Sequence, residues 1–194
     1  MIMDVDARCQ EKSEDCRADI ERVLELLSTY ASDVLTARLL EETTGGELTP
    51  AQLEALIFIH RHDGCSVKDL SEGLHISIPS STRLVDRLVR KSLVDRRESG
   101  VDRRLVQMTV TPVGVVALKA VRTARLARVE EALAPFAPTE RTHLLVVLER
   151  FVRAALRDVE TVEVCCRHCG NDHDRSCVVN TAHLALAGRP IDHA

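Results

Sequence analysis

Aromatic side chains are nearly missing from this 194-residue chain, which has no Trp, one Tyr (Tyr30) and three Phe (Phe58, Phe136, Phe151). A surface that holds single-stranded nucleic acid by stacking bases on rings needs several such groups together. That mode is excluded, so any nucleic-acid contact must use the grooves of a duplex. Long apolar runs are lacking too. No stretch approaches the roughly 18 to 20 residues that span a bilayer, and the opening MIMDVDARCQEKSED is polar and acidic rather than basic and then apolar. These features predict a cytoplasmic protein without a membrane partner. Cysteine is not scarce, but seven is an odd number and the residues are clustered, so reduced thiols or metal ligands are expected rather than a disulfide framework. The remaining balance, 45% hydrophobic and 29% charged, is that of a globular chain.

The net charge of −4 conceals a strong asymmetry. Between Ser77 and Arg104 eight basic residues stand against four acidic ones, which makes this region +4 and leaves about −8 elsewhere. A basic patch on an acidic body is the footprint of a polyanion binder, although a solvated charged helix and hairpin would carry the same charges.

The pattern of apolar residues predicts a mainly α-helical fold. Ile20, Val23, Leu24, Leu27, Val34 and Leu35 form one stripe of a long helix over 15–42, ended by Gly45 and Gly46. Thr49, Pro50 and Gln52 start a second helix with a capping box, in which Leu53, Leu56 and Ile57, with His60 as a further candidate, line the buried side. Ser66 caps a short helix that ends near Gly73. In HISIPSSTRLVDRLVRK, Ser77 caps the next helix, Leu84, Val85, Leu88 and Val89 turn inward, and Ser80, Arg83 and Arg87 share the opposite face with Thr82 and Arg90 beside them. LVDRR and RRLVQMTV then read as a hairpin with arginines at its tip. Thr111 and Pro112 open a long helix over 112–134, and another follows over 139–157.

Two short helices, the second basic on its outer face, followed by an arginine-tipped hairpin, have the order of a winged helix-turn-helix. Arg offers a two-pronged donor to guanine, and Ser or Thr bonds phosphate or base edges without bulk. The segments LTPAQLEALIFIH, VKDLSEGLHISIPSSTRLVDRLVRKSLVDRRESGVDRR and VTPVG resemble the MarR family of bacterial winged helix-turn-helix regulators, over about residues 20–157. The resemblance implies a homodimeric, DNA-binding transcriptional regulator, usually a repressor, whose first and last long helices interlock across a two-fold axis. Ser92 stands where glycine commonly follows the basic residue, and Val110 replaces a usual leucine.

The residues themselves also favour a dimer. The helices over 15–42 and 139–157 carry more apolar stripe than a small winged domain can cover. A two-fold pair would set two recognition helices about one turn of double-stranded DNA apart and select an inverted-repeat operator. The expected major-groove residues are Ser80, Ser81, Thr82, Arg83 and Arg87, with Arg103 and Arg104 in the wing. Ser81 is the weakest of them, since its spacing to Leu84, Val85 and Leu88 could turn it inward. Asp95, Arg97 and Asp102 read equally as pairs that hold the hairpin in shape. His60 and His62 lie next to the dimer crevice where relatives bind small aromatic acids, which makes a small-molecule effector a further expected partner.

The organisation expected is a flexible N-terminus over 1–14, the winged and dimerisation part over 15–157, and a Cys/His-rich extension over 158–194. In VCCRHCGNDHDRSCVV, Cys166, Cys169, His173 and Cys177 supply three thiolates and an imidazole, enough for one tetrahedral zinc site resembling a shortened knuckle. An iron–sulfur cluster with Cys165 as an alternative ligand is the rival, and redox or idle thiols without metal are the third reading. His168 and His183 are expected to be solvent-exposed, and TAHLALAG to form a short terminal helix. Cys9 and Cys16 sit among Glu14, Asp15 and Asp19, which disfavour a thiolate, and Cys65 reads as packing. No phosphate loop, nucleophile elbow or paired-carboxylate motif is present, so the chain is not expected to be an enzyme. An interaction module that has lost DNA binding is the remote alternative, and the arginines at both reading elements argue against it.

Overall fold

The computed structural model describes residues 13–98, 106–168 and 177–191. Helix α1, Ser13–Thr29, runs into a π-helical segment, Tyr30–Arg38, and then into α2, Leu39–Thr44. The single helix expected over 15–42 is therefore continuous in path but changes its winding. Within the wide turns the Thr36 hydroxyl donates to the Ala31 carbonyl at 2.9 Å, and the Leu35 carbonyl accepts from Arg125 Nε at 3.2 Å. Ile20, Val23, Leu24 and Leu27 of α1 are exposed, whereas Leu39 and Leu40 of α2 are buried against the long helix that follows the hairpin.

The central unit begins with α3, Pro50–Arg61, α4, Val67–Gly73, and α5, Ile78–Arg90. Each starts where its capping residue satisfies otherwise unpaired N–H groups. Thr49 Oγ1 accepts from Gln52 N–H at 3.3 Å while Gln52 Oε1 accepts from Thr49 N–H at 3.2 Å. Ser66 and Asp69 form the same reciprocal box. Its two bonds to the Asp69 carboxylate, from the Ser66 N–H and hydroxyl, are both 2.8 Å and hold that carboxyl below its usual range. Strands β1, Val94–Glu98, and β2, Val106–Val110, pair antiparallel with Val94 opposite Val110 and Glu98 opposite Val106. A bridge at Cys65 extends the sheet, with Met108 N–H donating to the Cys65 carbonyl at 2.9 Å.

The core joins these elements through Leu56, Ile59, Leu70, Val85, Leu88 and Met108, all essentially inaccessible to solvent. Burying a side chain of this size stabilises by about 1.5–3 kcal/mol. Gly73 lies against the Phe58 ring so closely that an added Cβ would overlap it. The Cys65 thiol sits in this core as expected, and burial, reinforced by the Asp69 charge, pushes it up to about 12.

Helix α6, Pro112–Leu133, is capped by Thr111, whose Oγ1 accepts from Gly114 N–H at 3.1 Å, and α7 is Pro138–Ala155. Leu144, Leu145, Leu148 and Phe151 of α7 are exposed. Two helices follow, α8, Val159–His168, which the sequence reading did not anticipate, and α9, Val178–Ala187, which contains the expected terminal helix. They make a second small core from Leu156, Val162, Cys166, Val179 and Ala182, with Cys177 packed against it. Helix α9 also lies against α7, and α8 against α3. His183 is buried rather than exposed. Its Nδ1 is 2.8 Å from the Arg189 carbonyl and its Nε2 is 3.9 Å from Glu163, so the ring ties the chain after α9 back onto α8. Among the described residues no helix is long and apolar enough to cross a membrane.

Candidate nucleic-acid interface

The exposed side of α5 is built by its cap and its spacing. Ser77 Oγ accepts from Ser80 N–H at 3.3 Å, and the Ser77 and Ser80 hydroxyls are 2.9 Å apart. Thr82 Oγ1 donates to the Ile78 carbonyl at 2.9 Å, which leaves its oxygen available as an acceptor. Ser80, Arg83 and Arg87 are exposed along one face, and neither Arg83 nor Arg87 has an ion-pair or hydrogen-bond partner among the described residues. Unpaired guanidinium groups on an outer helix face are free to meet an external anion. Arg90 differs, since its Nε is engaged with the Asp86 carbonyl at 3.3 Å.

Ser81 requires a correction. It is fully buried, its Oγ has no hydrogen-bond partner among the described residues, and it cannot share the exposed face with Arg83. Ser81, Val85 and Leu88 are spaced four and three apart, the period of the inward stripe, and that signal was legible in the sequence.

The wing is fastened to this helix by an ion pair that the sequence reading missed. Arg96 of β1 reaches Asp86 of α5 at 2.8 Å, with both side chains partly exposed. Arg97 lies 3.7 Å from Asp95, as expected for a hairpin-shaping pair, whereas Asp102, Arg103 and Arg104 lie outside the described residues. At the other end of α5, Lys91 Nζ donates to Gln52 Oε1 at 3.0 Å, tying this end to the cap of α3. Ser92 ends the helix in the left-handed region with φ 57°, so the position where a glycine is common does demand a positive φ. There Ser92 N–H donates to the Val89 carbonyl at 2.8 Å and Leu93 N–H to the Leu88 carbonyl at 3.0 Å, a Schellman ending.

A crevice of about 330 Å3 separates α3 from α6. Leu53, Ile57, Leu118 and Val121 supply apolar wall, while His60, Arg61, Lys119, Arg122 and Arg125 supply the polar part. Among the described residues none of those lining it is acidic. His60 is exposed here instead of buried in the α3 face, and His62 is packed on Phe58 with ring centroids 4.3 Å apart.

Of the expected metal ligands, Cys166 is 2% exposed in the second core and Cys177 is half-buried beside it, at the end of α8 and the start of α9 respectively. Cys165 points outward. Cys169 and His173 lie outside the described residues, and no cluster of three metal-ligating side chains occurs among the described ones.

A capped helix with an exposed basic face, a short helix packed beneath it and a two-stranded hairpin braced against it define a winged-helix DNA-binding protein. Comparison with known proteins gives the same class. A sequence model of the MarR family matches residues 47–105. The transcriptional repressor MdtR of Bacillus subtilis is 26% identical over 120 residues, which cover 62% of this chain and 77% of MdtR. A Thauera aromatica protein named as a candidate regulator of the hcr operon is 30% identical over 119 residues, covering 61% of this chain and 70% of its own. Among solved structures, the YusO protein of B. subtilis superimposes with a TM-score of 0.64 at 22% identity, covering 74% of this chain and 99% of YusO. A mutant S. aureus MepR bound to an oligodeoxyribonucleotide gives 0.56 at 18% identity, covering 70% and 97%. The chain belongs to the MarR family and is a transcriptional regulator, not an enzyme.

Proposed function

We propose that the protein works as a homodimer that represses transcription by binding an inverted-repeat operator. Ser80, Thr82, Arg83 and Arg87 would read the major groove, and Arg103 and Arg104 would reach the adjacent minor groove. The observation that carries this reading is the exposed face of α5, where Arg83 and Arg87 have no partner among the described residues and stand beside a braced wing. The dimer is supported by Leu24 and Leu27 of α1 with Leu148 and Phe151 of α7, which remain 38–47% exposed on helices that flank the winged unit. A second copy would cover such a surface. The α3–α6 crevice, lined by apolar and basic side chains, suits a small anionic effector. The test is binding of selected operator duplexes by the full chain at several salt concentrations. A steep fall with salt and a footprint symmetric about a dyad are expected, and binding indifferent to salt would refute it.

For the extension we favour one structural zinc held by Cys166, Cys169, His173 and Cys177. Soft thiolates with one imidazole are a zinc donor set, and the burial of Cys166 suits a closed site rather than a catalytic one. An iron–sulfur cluster using Cys165 as an alternative ligand is the second reading, favoured by the abundance of thiols. Elemental analysis and a visible spectrum of anaerobically purified protein separate them. One zinc per chain without colour supports the first, a brown protein the second, and neither metal refutes both.

A further inference from the structure

Arg61, in the last turn of α3, connects two parts of the molecule. Its Nη1 donates to the Cys166 carbonyl in α8 at 3.4 Å, a contact across 105 residues of sequence. Its Nη2 is buried without a hydrogen-bond partner among the described residues. The same side chain lines the basic crevice between α3 and α6, where none of the described lining residues offers a carboxylate. A buried donor left unsatisfied costs about 1–3 kcal/mol, and more on a charged group, so native structures seldom retain one. The Cys166 carbonyl is a neutral acceptor, and among the described residues no carboxylate pairs with Arg61. A carboxylate supplies both the missing acceptor and the missing charge, through a charge-assisted bond.

We propose that the C-terminal helical unit sets the acid affinity of the crevice by holding Arg61: the Cys166 carbonyl orients the guanidinium, and the guanidinium turns to bind the carboxylate of a ligand with an apolar body. This rests on the crevice being an effector site. The carbonyl is well placed to orient Arg61 because the second core fixes it. Val162 and Cys166 are buried among Leu156, Val179 and Ala182, and Asp158 caps α8 by accepting from the Thr161 N–H at 2.7 Å and hydroxyl at 2.9 Å. His183 ties the end of α9 to the same unit. Loss of packing around Cys166 therefore releases Arg61. Ligand and docked extension strengthen each other by one shared factor, as linkage requires.

The test uses the full-length protein with benzoate as the probe. Benzoate binding is measured by calorimetry in the wild type, Val162→Asp, Arg61→Gln and the double variant, and amide exchange in α8 is followed with and without benzoate. Val162 is outside the crevice lining, yet Val162→Asp is expected to weaken benzoate about five- to tenfold, Arg61→Gln by as much or more, and the pair no further than Arg61→Gln alone. Benzoate is expected to slow exchange in α8 of the wild type and to leave it unchanged in Arg61→Gln. Equal affinity in the wild type and Val162→Asp, or additive losses in the double variant, overturns the coupling. Should Val162→Asp also disturb the winged unit, the exchange arm decides alone: benzoate bound with no slowing of α8 overturns the proposal. No benzoate binding by the wild type at concentrations on the order of 10 mM overturns the crevice as an acid site and the coupling with it.

Discussion

Replacing Ser92 by glycine is expected to stabilise the protein. The backbone there has φ 57°, where a Cβ crowds the neighbouring carbonyl at a cost of about 1–2 kcal/mol. The contacts that fix this turn involve only the backbone of Ser92: its N–H to Val89, its carbonyl accepting the Thr111 hydroxyl at 2.7 Å, and the adjacent Leu93 N–H to Leu88. None is lost with the side chain. Glycine does add freedom to the unfolded chain, worth about 0.5–1 kcal/mol against folding. The difference is a net gain of about 0.5–1 kcal/mol, or about 1–4 °C in melting temperature for a chain of this length. The assay is urea unfolding and thermal melting at one fixed protein concentration, since dimerisation couples to both. Ser92→Ala retains the Cβ and is expected to show no gain, and Ser92→Val is expected to lose at least about 1 kcal/mol because a branched side chain resists this φ. A glycine variant no more stable than the wild type, or an alanine variant as stable as the glycine variant, would refute the reasoning from backbone strain.

Arg83→Ala should weaken operator binding by about 1–3 kcal/mol in gel-shift titrations, whereas Ser81→Ala should leave affinity unchanged and hold or slightly raise urea stability, because it removes a buried hydroxyl that has no partner among the described residues. Leu148→Asp should yield a monomer in sedimentation and lose cooperative operator binding, since a charge is then placed on the face proposed to meet the second copy. The Cys65 thiol, raised to about 12, should resist iodoacetamide at pH 8.5 while Cys165 reacts, as read by peptide mass spectrometry. The lowered pKa of Asp69 contributes stability that is fully present above its unfolded value near 3.8 and disappears as the pH falls through the still lower folded value. Asp69→Asn should accordingly flatten the acid limb of stability against pH.

Much of the winged unit could be read because its signals are local. Thr49, Ser66, Ser77 and Thr111 each cap the helix they were expected to cap, and the hairpin lies where two short β-branched runs placed it. The errors arose where tertiary packing outweighs local preference. Ser81 was assigned outward by its chemistry, but its period with Val85 and Leu88 sends it inward. Helix α8 was missed because VETVEVCC is rich in β-branched residues, which are poor helix formers, and only burial of Val162 and Cys166 against α9 makes the helix favourable. His183 follows Val179 and Ala182 at helical spacing, yet its polarity argued for exposure until Arg189 and Glu163 supplied partners. Bonds such as Arg96 to Asp86, Lys91 to Gln52 and Arg61 to Cys166 join distant positions, and no local pattern announces them.

The π-helical segment at Tyr30–Arg38 gives the N-terminal rod two orientations in one piece of chain. Each residue in these wide turns advances by less than the roughly 100° of an α-helix, so the offset accumulates along the segment. The rod can thus keep Leu39 and Leu40 locked inside their own domain while aiming Ile20 to Leu27 at a different azimuth. Arg125 grips the rod within this segment through the Leu35 carbonyl and also borders the crevice, so one guanidinium joins the crevice wall to the place where the rod changes its winding.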